Sequence, residues 1–391
     1  MTDLLPHVLH VGKWYPPAPG GMEKIVQLLC EGERASVDSR VLVANTAAAT
    51  VHEVWRGVPV SRVASFGTIG SVAVCPGFPL ALARASRDVT VIHEPNPIAL
   101  VSDFLTGGRG PLVVWFHSEV LRPQWRYNAV YRPFLRRVLR RAARIIVSSP
   151  RLAEHARELA DFRDKCVVIP FGLDVSWLSA TPATLQRCLE IQKEFPGPRV
   201  LFVGRLVPYK GVDVLIDAAA RLAPAHVLIA GDGPLRHTLE ARAAAAGLAG
   251  RLRFLGPLSD ADLAAHLHAC DVFVLPSVSR QETFGVVQLE AMACGRPVVS
   301  TDLPTGVPWV NLHERTGLIV PPGDSEALAV ALNRLLADPA LRAQYGAAGR
   351  ARVERDFTVP AMTAATTAVY REVLSVDTAR ADARMKPSHE S

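Results

Sequence analysis

Short apolar runs alternate with stretches of helical periodicity along most of the chain. The runs at 7–11, 40–44, 89–92, 112–116, 144–148 and 166–169 predict one series of strands. Those at 199–203, 226–230, 252–255, 271–275 and 297–300 predict a second. Between them, 22–35, 212–222, 235–247, 260–268, 284–294 and 325–337 carry apolar residues at helical spacing. Strand–helix alternation of this kind predicts parallel sheets made of β-α-β units, and two series predict two α/β domains.

The pattern breaks around 170–198, at Pro170, Gly172, Pro182, Pro196, Gly197 and Pro198. This predicts a first domain over 1–172, a linker with a short helix over 173–198, and a second domain over 199–357. Residues 340–376 read as helical with a break near Phe357 to Pro360, and 377–391, with Lys386-Pro387-Ser388-His389, reads as a flexible tail. From Val63 to Ala83 no residue is charged, a length that could span a bilayer. Gly67, Gly70, Pro76, Gly77 and Pro79 fit a turn, short strand and loop better. Asp3 and the strand at 7–11 argue against a signal peptide.

Composition narrows the picture. Of 391 residues, 49% are hydrophobic and 20% charged, enough apolar material for sizeable cores and too little charge for a disordered chain. The net charge of +6 suggests an anionic partner without saying which. Six cysteines show no paired or zinc-binding spacing and read as small buried hydrophobes in a reducing compartment.

Parallel α/β sheets bind ligands outside the carboxyl ends of their strands, so the loops there are the candidate sites. Gly20 and Gly21 open the helix after the first strand, where free amides suit an anion, or form a plain loop. His117 follows the strand 112–116 and can hydrogen-bond a hydroxyl, act as a base, or cap the next helix. Gly204-Arg205 and Lys210-Gly211 put two cations on a glycine-bounded loop, which suits a diphosphate, or are an ordinary solvated pair of charges. Gly231-Asp232-Gly233-Pro234 is a tight turn that clears space for a ligand or serves the fold alone. Glu282 precedes a helix entrance at Thr283-Phe284-Gly285-Val286, and Glu290 lies inside that helix. Carboxylates there suit vicinal hydroxyls, or cap the helix.

In this order the set resembles glycosyltransferase family 4, of the two-domain GT-B type, over essentially the whole chain before the tail. A closer likeness at Trp115-Phe116-His117-Ser118-Glu119, Ser148-Ser149-Pro150 and 302–310 is to the branch that builds bacterial O-antigen and exopolysaccharide units. The resemblance implies two Rossmann-like domains facing each other across a donor-binding cleft. It implies that Arg205 and Lys210 hold the donor diphosphate with the Gly21 amide, and that Glu290 accepts from the ribose hydroxyls. Glu282 and the amides of Thr283 to Val286 would hold the transferred sugar, and His117 would hydrogen-bond one of its hydroxyls. The nucleobase would lie near Gly233 and Gly256-Pro257-Leu258. A C-terminal helix, about 360–376, would return to the first domain.

The implied activity is retaining hexosyl transfer from a nucleotide-diphosphate sugar, with GDP-mannose as the lead donor, to a lipid-linked or saccharide acceptor. Arg205 and Lys210 would meet the charge growing on the diphosphate, so neither a metal nor a cofactor is expected. A hydrolase or epimerase acting on a nucleotide sugar, or a silent scaffold, are the alternatives. Between Arg122 and Arg144 stand eight arginines and no acid before Arg144: 122, 126, 132, 136, 137, 140, 141 and 144. From 132 onwards they fill one side of a helix, which reads either as a solvated basic face or as a surface attracted to an anionic membrane or lipid diphosphate at the inner face of the cytoplasmic membrane. Trp125, Tyr127 and Tyr131 also lie there, but the other motifs leave no place for nucleic acid.

Overall fold

A computed structural model describes residues 5–18, 20–70, 72–120 and 127–385. Two compact units emerge: the chain up to Gly172 together with the chain from Val359 onward, and Leu173–Thr358.

The first unit holds an eight-stranded sheet in the spatial order Cys166–Val168, Arg144–Val147, Leu112–Phe116, Val89–Glu94, His7–Val11, Asp38–Ala44, Val58–Val63, Val51–Trp55. All pairings are parallel except the last, where Val51–Trp55 runs antiparallel to Val58–Val63. The second unit holds a six-stranded, all-parallel sheet: Leu252–Gly256, His226–Ala230, Arg199–Val203, Val272–Leu275, Val298–Thr301, Gly317–Val320. Counting parallel strands in chain order, both sheets contain the run 3-2-1-4-5-6 of the doubly wound dinucleotide-binding fold. The strands are β-branched and buried on both faces: Leu112–Phe116 and Val89–Glu94 are buried at every position, as a sheet covered by helices on both sides requires.

The strand order reverses between His7–Val11 and Val89–Glu94 in the first unit, and between Arg199–Val203 and Val272–Leu275 in the second. At such a reversal, loops leave to opposite faces and open a crevice at the carboxyl ends.

Three sequence expectations change. Residues 173–198, expected as a linker with a short helix, belong to the second unit: helix Pro182–Glu194, capped by Thr181, packs against helix Asp260–Ala269. Cys188 and Ile191 are its buried face. The last helix runs Val359–Met385, beyond the predicted end at 376, and packs on Gly21–Gly32 in the first unit. There Gly32 lies so near that a Cβ would sit 2.6 Å from Thr363 Cγ2. The uncharged stretch from Val63 forms the end of a strand, the short strands Thr68–Ile69 and Val72–Ala73, and helix Phe78–Arg84. No helix among the described residues is long and apolar enough to cross a membrane. Strands Val51–Trp55, Val58–Val63 and Gly317–Val320 escaped the pattern because they are short and edge-lying or partly polar.

Candidate functional site

In the second unit, the loops after four strands are stitched together by backbone. Gly204 N donates to Ala230 O (3.0 Å), Leu206 N to Asp232 O (2.9 Å), Gly231 N to Gly256 O (2.7 Å) and Val278 N to Tyr209 O (2.8 Å). The glycines permit this closeness. Gly231 has φ +124°, and a Cβ there would lie 2.0 Å from Gly204 O. A Cβ on Gly233 would lie 2.5 Å from Leu206 O. The space at these two positions is therefore occupied by the neighbouring loop, and the turn is a brace for the Arg205 loop. Gly211, at φ +65°, abuts Pro276 O, which a Cβ would approach to 2.1 Å.

This brace carries the predicted cations to the strand-order reversal. Lys210 ends a single 3-10 turn, Pro208–Lys210, and its Nζ donates to Glu282 Oε2 at 2.5 Å. Ser277 Oγ donates to the same oxygen at 3.0 Å, and Glu282 is buried. Lys210 Nζ also lies 5.5 Å from the centre of the Tyr209 ring. Arg205 is exposed, and its side chain has no hydrogen bond or ion pair among the described residues. Arg205, Lys210 and Glu282 thus share one loop cluster at the carboxyl edge of adjacent strands.

The helix after Glu282 begins at Val286, with Gly285 at its N-cap in the left-handed region (φ +70°). A Cβ on Gly285 would meet Leu275 Cδ2 at 2.5 Å, so the tight entrance requires glycine. Thr283 O accepts from Gly306 N (2.7 Å), and Gln288 Nε2 donates to Phe284 O and Val307 O (2.7 and 3.3 Å). The segment 302–310 therefore buttresses the Glu282 loop. The Phe284 side chain is buried with Trp309 and Phe357, at ring distances of 6.3 and 6.0 Å, leaving only its backbone for a ligand. Glu290 is half-buried, its side chain has no hydrogen-bond partner among the described residues, and burial, reinforced by Asp260, pushes its pKa up to about 7. A hydroxyl-bearing ligand would supply the missing donors.

In the first unit, Gly20 caps helix Gly21–Gly32, and Gly21 is open on its Cα side. Glu23 of the first turn crowds Gly20, where a Cβ would lie 2.0 Å from Glu23 Oε2. Burial raises the Glu23 pKa, which lessens its conflict with a second anion at this helix start. His117 is buried, its ring 5.7 Å from Trp115 and 5.5 Å from Phe171. Among the described residues it caps no helix; Nε2 lies 3.0 Å from His93 Nδ1, and burial drives its pKa down to about 3. It is therefore a neutral imidazole at ordinary pH.

Sequence reasoning missed Glu94, at the last position of its strand beside the reversal. Its Oε2 accepts from the Tyr131 hydroxyl and from Asn96 N (3.1 Å), its Oε1 is buried without a partner among the described residues, and burial pushes its pKa up to about 7. The signal available was an acidic residue closing a run of five strand residues, Val89 to His93, without any motif around it.

The basic stretch divides. Arg122, Trp125 and Arg126 lie outside the described residues, as do Pro19 and the tail residues Lys386 to His389. Helix Arg132–Arg141 buries Leu135, Val138 and Leu139. Arg136 pairs with Asp161 (2.6 Å), Arg141 with Asp103 (2.5 Å), and Arg144 with Glu372. These three serve the fold. Arg132, Arg137 and Arg140 stay exposed, and Arg137 lies over Phe104 at 5.3 Å. The neighbouring helix Pro97–Leu105 exposes Val101, Phe104 and Leu105. All six cysteines are free, and all but Cys166 are buried.

Comparison with known proteins fits this architecture. Residues 19–177 match the description Glycosyltransferase Family 4, and 190–352 match Glycosyl transferases group 1. The chain is 35% identical over 360 residues to D-rhamnosyltransferase WbpZ of Pseudomonas aeruginosa, covering 90% of this chain and 92% of that protein. It is 31% identical over 374 residues to O-antigen chain mannosyltransferase C of Escherichia coli, covering 94% and 98%. Among solved structures, sucrose-phosphate synthase from Thermosynechococcus elongatus superposes with a TM-score of 0.80 at 24% identity, covering 95% of this chain and all (100%) of that one. HepE of Anabaena, solved with UDP and glucose, superposes with a TM-score of 0.75 at 22% identity, covering 94% and 100%. These likenesses make the fold GT-B, and with the two family matches and the extent of identity, the chain belongs to glycosyltransferase family 4.

Proposed function

We propose that this glycosyltransferase moves a mannose-type hexose, with retention of configuration, from a nucleoside-diphosphate donor to a lipid-linked or saccharide acceptor in bacterial surface polysaccharide synthesis. GDP-mannose is the lead donor. The observation that carries the reading is the Lys210–Glu282 contact beside an unengaged Arg205 at the strand-order reversal of the second sheet. The mannosyl and D-rhamnosyl activities named for the two relatives support the sugar.

The chemistry follows from charge. As the glycosidic bond breaks, negative charge grows on the diphosphate and positive charge on the sugar. Arg205 offers a planar fork to phosphate oxygens and Lys210 a compact charge, which together stabilise the leaving group without a metal. Glu282 accepts sugar hydroxyl hydrogen bonds, and the amides at the start of helix Val286–Ala293 add donors. Glu290, with an unpartnered carboxylate, accepts from the ribose hydroxyls. The acceptor hydroxyl attacks from the face the diphosphate leaves, and its proton passes to a departing phosphate oxygen.

The first unit also supports peripheral membrane contact. Arg132, Arg137 and Arg140 stand beside exposed Val101, Phe104 and Leu105, the pairing of basic and apolar side chains that an anionic bilayer surface attracts.

The test is donor consumption by the purified protein against UDP-, GDP-, ADP- and dTDP-sugars, with membrane extract as acceptor. GDP-mannose consumed with formation of a new glycosidic bond, and lost in Glu282→Ala, is the expected result. Release of free mannose alone would favour the hydrolase reading.

A further inference from the structure

The first sheet places three histidines side by side. His10 lies on strand His7–Val11, His93 on Val89–Glu94, and His117 directly after Leu112–Phe116; these three strands are neighbours. The rings stack, with centroids 5.4 Å apart for His10 and His93 and 5.3 Å for His93 and His117. Their nitrogens form a line. His10 Nδ1 lies 3.1 Å from His93 Nε2, and His93 Nδ1 lies 3.0 Å from His117 Nε2. At one end, His10 Nε2 lies 2.6 Å from Glu33 Oε1, which also accepts from Ser39 Oγ at 2.7 Å. At the other end, His117 Nδ1 is buried and has no partner among the described residues. Every member of the row is buried.

A neutral imidazole has one N–H and one lone pair, so the direction of one hydrogen bond in such a row sets all the others. The row's direction is set at Glu33. Oε1 there receives the Ser39 hydroxyl and faces His10 Nε2, the arrangement of a carboxylate accepting twice. His10 then donates from Nε2 and accepts at Nδ1. His93 donates from Nε2 and accepts at Nδ1, and His117 donates from Nε2. The lone pair that remains is on His117 Nδ1. Burial keeps His93 and His117 neutral, with both pKa values depressed, so the row keeps this direction.

We propose that Glu33, acting through His10 and His93, fixes His117 in the Nε2–H tautomer, so that His117 Nδ1 accepts a hydrogen bond from a substrate hydroxyl and does not donate one. Glu33, His10 and His93 are positioning residues. The inference rests on the reading of His117 as the group that meets the transferred sugar. It also explains why histidine stands at three buried positions that apolar residues would otherwise fill at lower desolvation cost. Cys30 Sγ, His10 and Glu33 bring ligating atoms within 4.8 Å of one another, so a metal at this end is the competing arrangement.

The experiment is long-range proton–nitrogen NMR on full-length protein labelled with nitrogen-15 histidine, which reads Nδ1 and Nε2 of each ring separately. Assignments come from single His→Gln variants. The expected wild-type result is Nε2–H on all three rings at neutral pH, with no stoichiometric metal by elemental analysis. Glu33→Gln is expected to release the lock, moving both His117 nitrogens toward the averaged shifts of a mixed tautomer. Its kcat falls about tenfold or more with the donor KM little changed. A wild-type His117 carrying Nδ1–H, a bound metal, or a Glu33→Gln spectrum identical to wild type would each overturn the proposal. If Glu33→Gln fails to fold, the wild-type tautomers and metal content still decide it. Failure of the glycosyl-transfer reading would look different: no donor turnover by a wild-type protein whose tautomers are as described.

Discussion

Lys210 Nζ donates to Glu282 Oε2 at 2.5 Å, joining two loops that lie 72 residues apart in the chain. Gly211 holds one loop against Pro276 of the other, and Ser277 shares the acceptor oxygen. The Lys210 cation and the Glu282 carboxylate neutralise each other. In the proposed reading a nucleotide sugar would engage both, whereas a bare nucleoside diphosphate would engage only Lys210 and would have to draw it from Glu282.

Glu282→Gln is therefore expected to separate two quantities. Affinity for GDP alone stays equal or rises, because Lys210 is released. Turnover of the nucleotide sugar falls about 100-fold, the order seen when a group that engages the transferred part is lost. Titration calorimetry with GDP and a donor-consumption assay read the two separately. Full turnover by Glu282→Gln would remove the sugar-binding role.

Arg205→Lys keeps the charge and loses the fork. Donor KM is expected to rise about tenfold, the equivalent of one charge-assisted hydrogen bond. Thermal stability should not move, since the Arg205 side chain is exposed and has no hydrogen bond or ion pair among the described residues. A fall in melting temperature would mean that Arg205 holds the loop and not the ligand.

Gly231→Ala tests the brace. The residue has φ +124° and a Cβ would sit 2.0 Å from Gly204 O, so the chain must move. A loss of about 2 kcal/mol or more in denaturant unfolding is expected, together with weaker donor binding through the displaced Arg205 loop. Gly21→Ala, with nothing within 4 Å of its Cβ position, is the contrasting case and should leave stability nearly unchanged.

Glu94 and Glu290 each have a folded pKa of about 7, raised from 4.5 chiefly by burial. The folded protein binds these protons more tightly than the unfolded chain does. Their stabilising contribution is present below the unfolded pKa and is lost as pH rises through the folded one. Melting temperature is expected to fall between about pH 5 and pH 8. Glu94→Gln should flatten that slope, and the Glu94→Gln/Glu290→Gln double variant should flatten it further. A slope unchanged in both variants would assign it to other groups.

Reversing Arg132, Arg137 and Arg140 to Glu should abolish binding to vesicles containing anionic lipid at low salt. Affinity for GDP should remain, because these arginines belong to the first unit and the diphosphate cations to the second. Equal vesicle binding by the triple variant would sink the membrane reading. Arg136, Arg141 and Arg144 make poor test sites, since their ion pairs with Asp161, Asp103 and Glu372 would be lost as well.

The sequence by itself determined the architecture. The apolar runs at 199–203 and 271–275, each followed by a glycine-containing loop and a helix, bury both sheet faces as parallel β-α-β units. The same local logic singled out Arg205, Lys210 and Glu282 as candidates, because each lies in a loop that follows a strand and carries a charge that a core would not tolerate, together with Glu290 inside the next helix. Tertiary structure decided what local pattern cannot encode. It split the arginine stretch into fold-serving and exposed members, since the acids that pair with Arg136 and Arg144 come from residues 161 and 372. It turned Gly231 and Gly233 into a brace, since the atoms they make room for belong to residues 204 and 206. It also aligned His10, His93 and His117, which stand 83 and 24 residues apart, in one hydrogen-bonded row. Sheet pairing brings together residues at any sequence separation, so partners set by register and strand order become visible only once the sheet has formed.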